Sequence, residues 1–281
     1  FAFTGSLAHM VDLGGSPVSY INKTIYEEGL RIPGMKILRG GELQEDIIRL
    51  IQTNVRTPYE VKGDLMAELA ANYRGEERLK ALAEKYGVDT LMAYFNAILD
   101  YSEVGMRNAI SKLPDGQISN EGYQETNGIQ DKMIKFKVSL EIKGSDIYVD
   151  LEGTDLPAEG GVNSPWSMTM SGIYYAIKAV IGSEVITNSG AYRAIHAKRP
   201  TTDCILDAQL PHPPQILATT IIGAFAQLIP ERVCAADADW ASATFIGFDP
   251  RYNRYFSYIE TYGAGRGAKH NEDGASGHQT H

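Results

Sequence analysis

Along the first 113 residues, apolar side chains return with helical spacing. Leu43, Ile47, Leu50 and Ile51 share one face of residues 42–56. Pro58 stops that run, because proline lacks an N–H and clashes with the turn before it. Val61, Leu65, Leu69 and Ala70 give residues 60–74 an inward face, with Gly75 as a bend or cap. Residues 77–86 are helical again, and Gly87 stops them. The longest helical pattern covers 89–113 and ends at the turn signal Pro114-Asp-Gly116.

The pattern then changes period. Residues 132–143 alternate polar and apolar side chains, the mark of a strand buried on one face. Gly144 and Ser145 form a turn, and 146–151 return, which predicts a hairpin. Beyond the glycine- and proline-rich stretch 159–165, a helix is predicted over 167–181. Short strands follow near 192–197 and 204–208, then a buried helix over 214–229, then strands near 243–248 and 255–261. Helices followed by a mixed β/α half predict an α+β chain of two domains, residues 1–115 and 116–281.

Composition narrows the function. The chain has 281 residues, 43% hydrophobic and 22% charged, an ordinary globular mixture. Its net charge of −9, with no basic cluster, argues against non-specific nucleic-acid binding. The most apolar stretch, 216–229, is bounded by Pro213-Pro214 and Pro230 and is too short to cross a bilayer. No basic-then-apolar leader precedes it, and a cytoplasmic location is expected. Cys204 and Cys234 stand far apart with no CxxC spacing, and read as free thiols in a reducing compartment. The chain opens at Phe1 in a strand-like run and closes at His281 inside a polar tail, so a fragment of a larger subunit is expected.

Chemistry-bearing residues gather at the two ends. His9 and Asp12 lie three apart just before Gly14-Gly15. They read either as a metal-binding or His–carboxylate pair, or as surface neighbours. The tail from Gly263 to His281 holds glycines, His270, Asp273, His278 and His281, and nothing that builds a core. Such a segment is either unordered or held by a ligand, a metal or a partner chain. Gly263, Gly265 and Gly267 resemble an anion-cradling loop, but no helix pattern follows, so the dinucleotide and P-loop fingerprints are not met. Other polar residues have local readings. Glu103 and Arg107 are one helical turn apart and pair on a helix surface, while Asp64 reads as an N-cap or a site acid. Tyr174 and Tyr175 read as core packing.

Taken in order, a set of segments resembles the hydantoinase B/oxoprolinase family. They are Ala8-His-Met-Val-Asp-Leu-Gly-Gly15, Glu28-Gly-Leu-Arg-Ile-Pro33, Asn54-Val-Arg-Thr-Pro58, Gly63-Asp-Leu65, Tyr101-Ser-Glu103 with Arg107, and Leu113-Pro-Asp-Gly116. The second half adds Val149-Asp-Leu-Glu-Gly-Thr154, Gly161-Val-Asn-Ser-Pro165, Asn188-Ser-Gly-Ala-Tyr-Arg193, Leu228-Ile-Pro-Glu-Arg232 and the tail from Gly263. The family commonly has a second His after the first in the opening segment, where this chain has Met10.

The resemblance implies a metal-dependent subunit of an ATP-dependent cyclic-amide hydrolase opening hydantoin, 5-oxoproline or lactam rings. It further implies an actin-like hydantoinase A-type ATPase partner, which binds the ATP and phosphorylates the carbonyl oxygen, within a hetero-oligomer. His9 is then the expected ligand of a divalent metal, Zn or Mn, within residues 1–115. Asp12 is a further ligand or the orienter of His9, and Asp273, His278 and His281 line the site. Gly263, Gly265 and Gly267 shape it around an anionic intermediate. The same family includes ATP-dependent ketone carboxylases of the acetone and acetophenone type, an alternative reading. A third is a non-catalytic scaffold for the ATPase.

Overall fold

The computed structural model describes residues 4–6, 12–16, 19–209, 215–236, 241–263 and 265–277. Its elements divide between two compact units, residues 1–94 with 242–260 and residues 95–241 with 261–281. The shift from helical to alternating pattern at 114–116 falls inside the second unit.

In the first unit, a two-strand turn, β1 (Leu38–Arg39) with β2 (Glu42–Leu43), leads into α1 (Glu45–Thr53). Glu45 and Asp46 stand in the first turn of α1, where the helix dipole favours negative charge. The helical run then stops before Pro58, but Pro58 itself opens the next helix, α2 (Pro58–Tyr86). At the first helical position its missing N–H costs nothing and its fixed φ suits the turn. Asp64 therefore lies within α2 and is not an N-cap. Helix α2 also runs unbroken through Gly75 to Gly87, whose φ of 81° ends it. Ile48 and Ile51 of α1 pack on Val61 and Leu65 of α2, joined by Leu30, Ile37 and Val55. A two-stranded ribbon, β7 (Ala241–Asp249) with β8 (Arg254–Tyr262), belongs mainly to this unit, and Asn253 turns it with φ 50°.

Helix α3 (Val88–Ile110) leads into the second unit, whose frame is a four-stranded sheet in the order β3-β4-β5-β6. The predicted hairpin is there as β4 (Ile134–Lys143) and β5 (Asp146–Asp150). Antiparallel to β4 on its other side is β3 (Gly116–Gln124), and β6 (Ile195–Lys198) pairs parallel with β5. A parallel pair needs a crossover, and α4 (Trp166–Ile181) supplies it.

One face of the sheet is apolar and the other polar, as the period of two dictates. Phe136, Val138, Leu140 and Ile142 of β4, with Ile147 and Val149 of β5, are buried. Ile173 and Ile177 of α4, with Leu217, Ile221 and Phe225 of α5 (Gln215–Phe225), belong to the same core. Each such side chain taken out of water contributes about 1.5–3 kcal/mol. Residues 204–208, expected as a strand, instead contain a single 3₁₀ turn, Ile205–Asp207, with the Leu206 N–H bonded to Cys204 Sγ. Tyr174 stacks on Tyr192 at 4.1 Å, but its neighbour Tyr175 is exposed and not core. Both cysteines are free. Among the described residues, no helix is long and apolar enough to cross a membrane.

Candidate functional site

Three of the family-like segments meet in the first unit around Asp12. Its side chain is buried, at 1% exposure, so its charge must be matched locally. Oδ1 accepts from the Gly14 N–H at 3.0 Å and from Arg56 Nη1 at 3.0 Å. Oδ2 accepts from the backbone N–H groups of Arg56 and Thr57, the latter at 2.9 Å, and from the Thr57 hydroxyl at 3.4 Å. Thr57 is the residue just before α2, so the Asp12 carboxylate also satisfies donors that the helix start leaves free. Burial alone would push the Asp12 carboxyl up. The N–H groups of Gly14, Thr57 and Arg56, together with the Arg56 charge, overcome this and hold it below the ordinary aspartate value.

Arg56 completes the clamp by donating from Nη2 to the carbonyls of Gly14 at 3.3 Å and Gly15 at 3.0 Å. The Gly pair is required by close approach. A Cβ on Gly14 would lie 2.2 Å from the Asn54 carbonyl oxygen, and one on Gly15 would lie 2.3 Å from that of Glu27. Gly14 bridges Gly29, and the Leu30 N–H bonds the Leu13 carbonyl at 2.7 Å. Residues 12–15 are thus joined with the segments 28–33 and 54–58 in one knot of backbone. Sequence reasoning does not single out Arg56 as a site residue, although it stands in a family-like segment.

Both Asp12 oxygens are taken by protein donors. Among the described residues, no three His, Cys, Asp or Glu side chains converge to hold an ion. The other expected metal-site residues, His9, His278 and His281, lie outside the described residues.

The glycine-rich tail belongs to the second unit and folds back on itself. Gly265 bridges Ser276, the Arg266 N–H bonds the Ala275 carbonyl at 2.9 Å, and Lys269 pairs with Glu272. The Ala235 N–H bonds the Ala268 carbonyl at 2.8 Å. A Cβ on Gly267 would stand 1.9 Å from the Ala235 carbonyl oxygen, so that glycine lets the loop close on residue 235. Asp273, just beyond the Lys269–Glu272 turn, is exposed, and so is Gly263. Arg266 bonds Glu272 at 3.2 Å, while its Nε is buried with no hydrogen-bond partner among the described residues. An unmatched guanidinium N–H beside a glycine loop is a ready donor to an anion.

A second knot forms in the same unit from 101–107 and 188–193. Asn188 Nδ2 donates to the Ser102 hydroxyl at 2.8 Å, and Arg193 reaches Asp100 at 2.7 Å and Glu103 at 3.0 Å. The expected Glu103–Arg107 pair is present at 2.9 Å. Arg193, then Arg107, hold the Glu103 carboxyl below its ordinary range. Asn163 of the 161–165 segment is buried and bonds the Ala158 N–H and carbonyl, at 2.9 and 3.0 Å, so it shapes its own loop.

An α+β chain with an arginine-locked acidic loop and a folded glycine tail defines the class; comparison with known proteins defines the family. The sequence model of the Hydantoinase B/oxoprolinase family matches residues 1–281, and this chain belongs to that family. The B-type component of a putative D-/L-hydantoinase from a Pseudomonas strain is 28% identical over 294 residues, covering 97% of this chain and 49% of that protein. The crystal structure of the ATP-dependent caprolactamase from Pseudomonas jessenii superposes with a TM-score of 0.80 at 29% identity, over 96% of this chain and 49% of that one. A nucleotide-free acetone carboxylase shares the fold, with a TM-score of 0.78 at 15% identity, over 97% of this chain and 40% of that one. The chain spans about half the length of that hydantoinase component and of the caprolactamase chain.

Proposed function

We propose that this chain belongs to the metal-dependent subunit of an ATP-dependent cyclic-amide hydrolase that opens hydantoin, 5-oxoproline or lactam rings. The substrate is first phosphorylated by an actin-like hydantoinase A-type ATPase partner, and the two subunits work as a hetero-oligomer. The observation that carries this reading is the likeness to the ATP-dependent caprolactamase, in sequence and fold together, over nearly the whole chain.

The chemistry is coherent. An amide carbonyl is a poor electrophile. Once its oxygen carries a phosphoryl group from ATP, water adds to the carbon and the ring C–N bond breaks as the nitrogen takes a proton. A second water releases phosphate to leave the carboxylate. A divalent metal held through His9 would supply positive charge to the developing oxyanion and acidity to a water. The described residues contribute position and charge. Asp12 and Arg56 fix the loop 12–15, which begins three residues after His9 in sequence. Arg266 Nε, with Gly263, Gly265 and Gly267, is assigned to receive the anionic group, and Asp273, His278 and His281 of the same tail are assigned the catalytic roles.

The test is turnover by the full-length subunit purified with its ATPase partner. Hydantoin, 5-oxoproline and caprolactam are offered with ATP, and acetone with ATP and bicarbonate. ATP-dependent ring opening of at least one amide supports the reading. Turnover of the ketone alone would move the carboxylase reading to the front, and ATP hydrolysis without either product would favour the scaffold.

A further inference from the structure

The β7–β8 ribbon of the first unit is apolar on both faces, and the proposed hydrolase site makes no use of it. Phe245 stacks on Tyr258 at 4.9 Å with 14° between the rings, and Phe256 stands 6.4 Å from Tyr258. A Cβ on Gly247 would lie 2.8 Å from the Phe256 ring, so the glycine makes room for it. These contacts put Phe245, Phe256 and Tyr258 on one face. The period of two then puts Ile246, Phe248, Tyr255 and Ile259 on the other, where Phe248 meets Tyr255 edge-on at 5.4 Å.

Neither face is closed. These seven side chains are between 36% and 50% exposed, and neither apolar core includes any of them. The two strands form a sheet of their own, and a lone hairpin is only marginally stable in water. Clustered aromatic side chains on a surface mark a contact. The runs Phe245-Ile-Gly-Phe248 and Tyr255-Phe-Ser-Tyr-Ile259 are also close to continuously apolar. A sheet with one face in water alternates apolar and polar positions, whereas near-continuous runs belong to strands covered on both faces.

Two covering layers are therefore needed. A second copy packed face to face on the ribbon about a two-fold axis would present the same patch from both sides, and so would cover one face only. The relatives point to a closer source. This chain covers 49% of the hydantoinase component and 49% of the caprolactamase chain, so a subunit of that length holds about as much chain again. That is enough for a layer on each face.

We propose that both faces of the β7–β8 ribbon are interior surfaces of the full-length subunit, covered by chain of the same polypeptide that lies outside residues 1–281. Phe256 and Tyr258 anchor one contact, and Phe248 and Tyr255 anchor the other. The inference rests on membership of the family and not on the hydrolase reading. Its test needs no turnover, so the two can fail separately.

That test is photo-crosslinking of the full-length subunit purified with its ATPase partner. p-Benzoylphenylalanine stands in place of Phe256 in one sample and of Phe248 in another, giving each face its own probe. Both probes are expected to link within one polypeptide, so the product keeps the mass of a single subunit on a denaturing gel. Mass spectrometry is expected to find the linked peptide outside residues 1–281 in both samples. A product of twice the subunit mass would assign the face to a second copy, and one of the summed mass would assign it to the ATPase. Either would overturn the proposal, as would links confined to residues 1–281, no link from one of the probes, or a native subunit no longer than this chain.

Discussion

The Asp12 carboxylate and the Arg56 guanidinium, 44 positions apart in sequence, meet at 3.0 Å with the carboxylate fully buried. Arg56 also donates to the carbonyls of Gly14 and Gly15, so one side chain neutralises the acid and ties down the loop that follows it. Removing one partner of a buried pair leaves a charge without a match, which costs about 3–5 kcal/mol. Arg56→Ala is expected near the lower end of that range, since three backbone N–H groups still hold the acid. Urea unfolding of the variant against the parent measures it, and a loss within experimental error would refute the clamp.

The same carboxylate makes stability depend on pH. Its value is lower folded than unfolded, so its contribution is complete above the ordinary aspartate range and is lost as pH falls through the folded value. Unfolding free energy should therefore decline below about pH 4. Asp12→Asn should be less stable at neutral pH and show a shallower decline in acid. Denaturant midpoints from about pH 7 to about pH 3 in both chains check this, and parallel curves would contradict it.

Two glycines should respond in opposite directions to alanine. A Cβ on Gly190 would stand 2.0 Å from the Leu99 carbonyl oxygen, where backbone has no room to move. Gly190→Ala should therefore destabilise by about 1–3 kcal/mol, the usual cost of overpacking. Gly63 lies inside α2 with nothing within 4 Å of its Cβ position. Gly63→Ala should stabilise by about 0.5–1 kcal/mol through helix propensity. Thermal unfolding of both variants decides the signs.

Ser102 and Asn188 test the second knot. Asn188 spans two segments through its bond to Ser102 and its acceptance of the Gly190 N–H at 2.9 Å. Asn188→Ala should cost about 1–3 kcal/mol, because it leaves the part-buried partners unmatched. Ser102→Ala should cost less, since it removes only one of those bonds. Equal stability of both variants and the parent would show that the knot is held elsewhere.

Much of the second unit was legible because its strands alternate cleanly. Lys135, Lys137 and Ser139 separate Ile134, Phe136, Val138 and Leu140, and only a half-buried strand fits that order. Strand β3 gave no such signal. Its residues 117–124 are polar apart from Ile118 and Tyr123, and its place comes from pairing with β4 along the whole strand. Pro58 reads as a stop, although at a first helical position proline is also a start, and sequence alone does not separate the two. The 204–208 run has strand composition but is held by local bonds at Cys204 and Thr169. In the site, Asp12 stands out by its spacing from His9. Arg56 does not, because a partner 44 positions away leaves no periodic trace.

The metal-dependent hydrolytic site proposed above, with the Asp12–Arg56 clamp beside it, stands or falls on whether a metal is bound. The most direct measurement is elemental analysis of the full-length subunit in complex with its ATPase partner, for the parent and for His9→Ala. The account predicts a stoichiometric divalent metal in the parent and its loss in the variant, with the circular dichroism and unfolding midpoint of the variant unchanged. A parent complex without metal, or a variant that keeps its full complement, would contradict it.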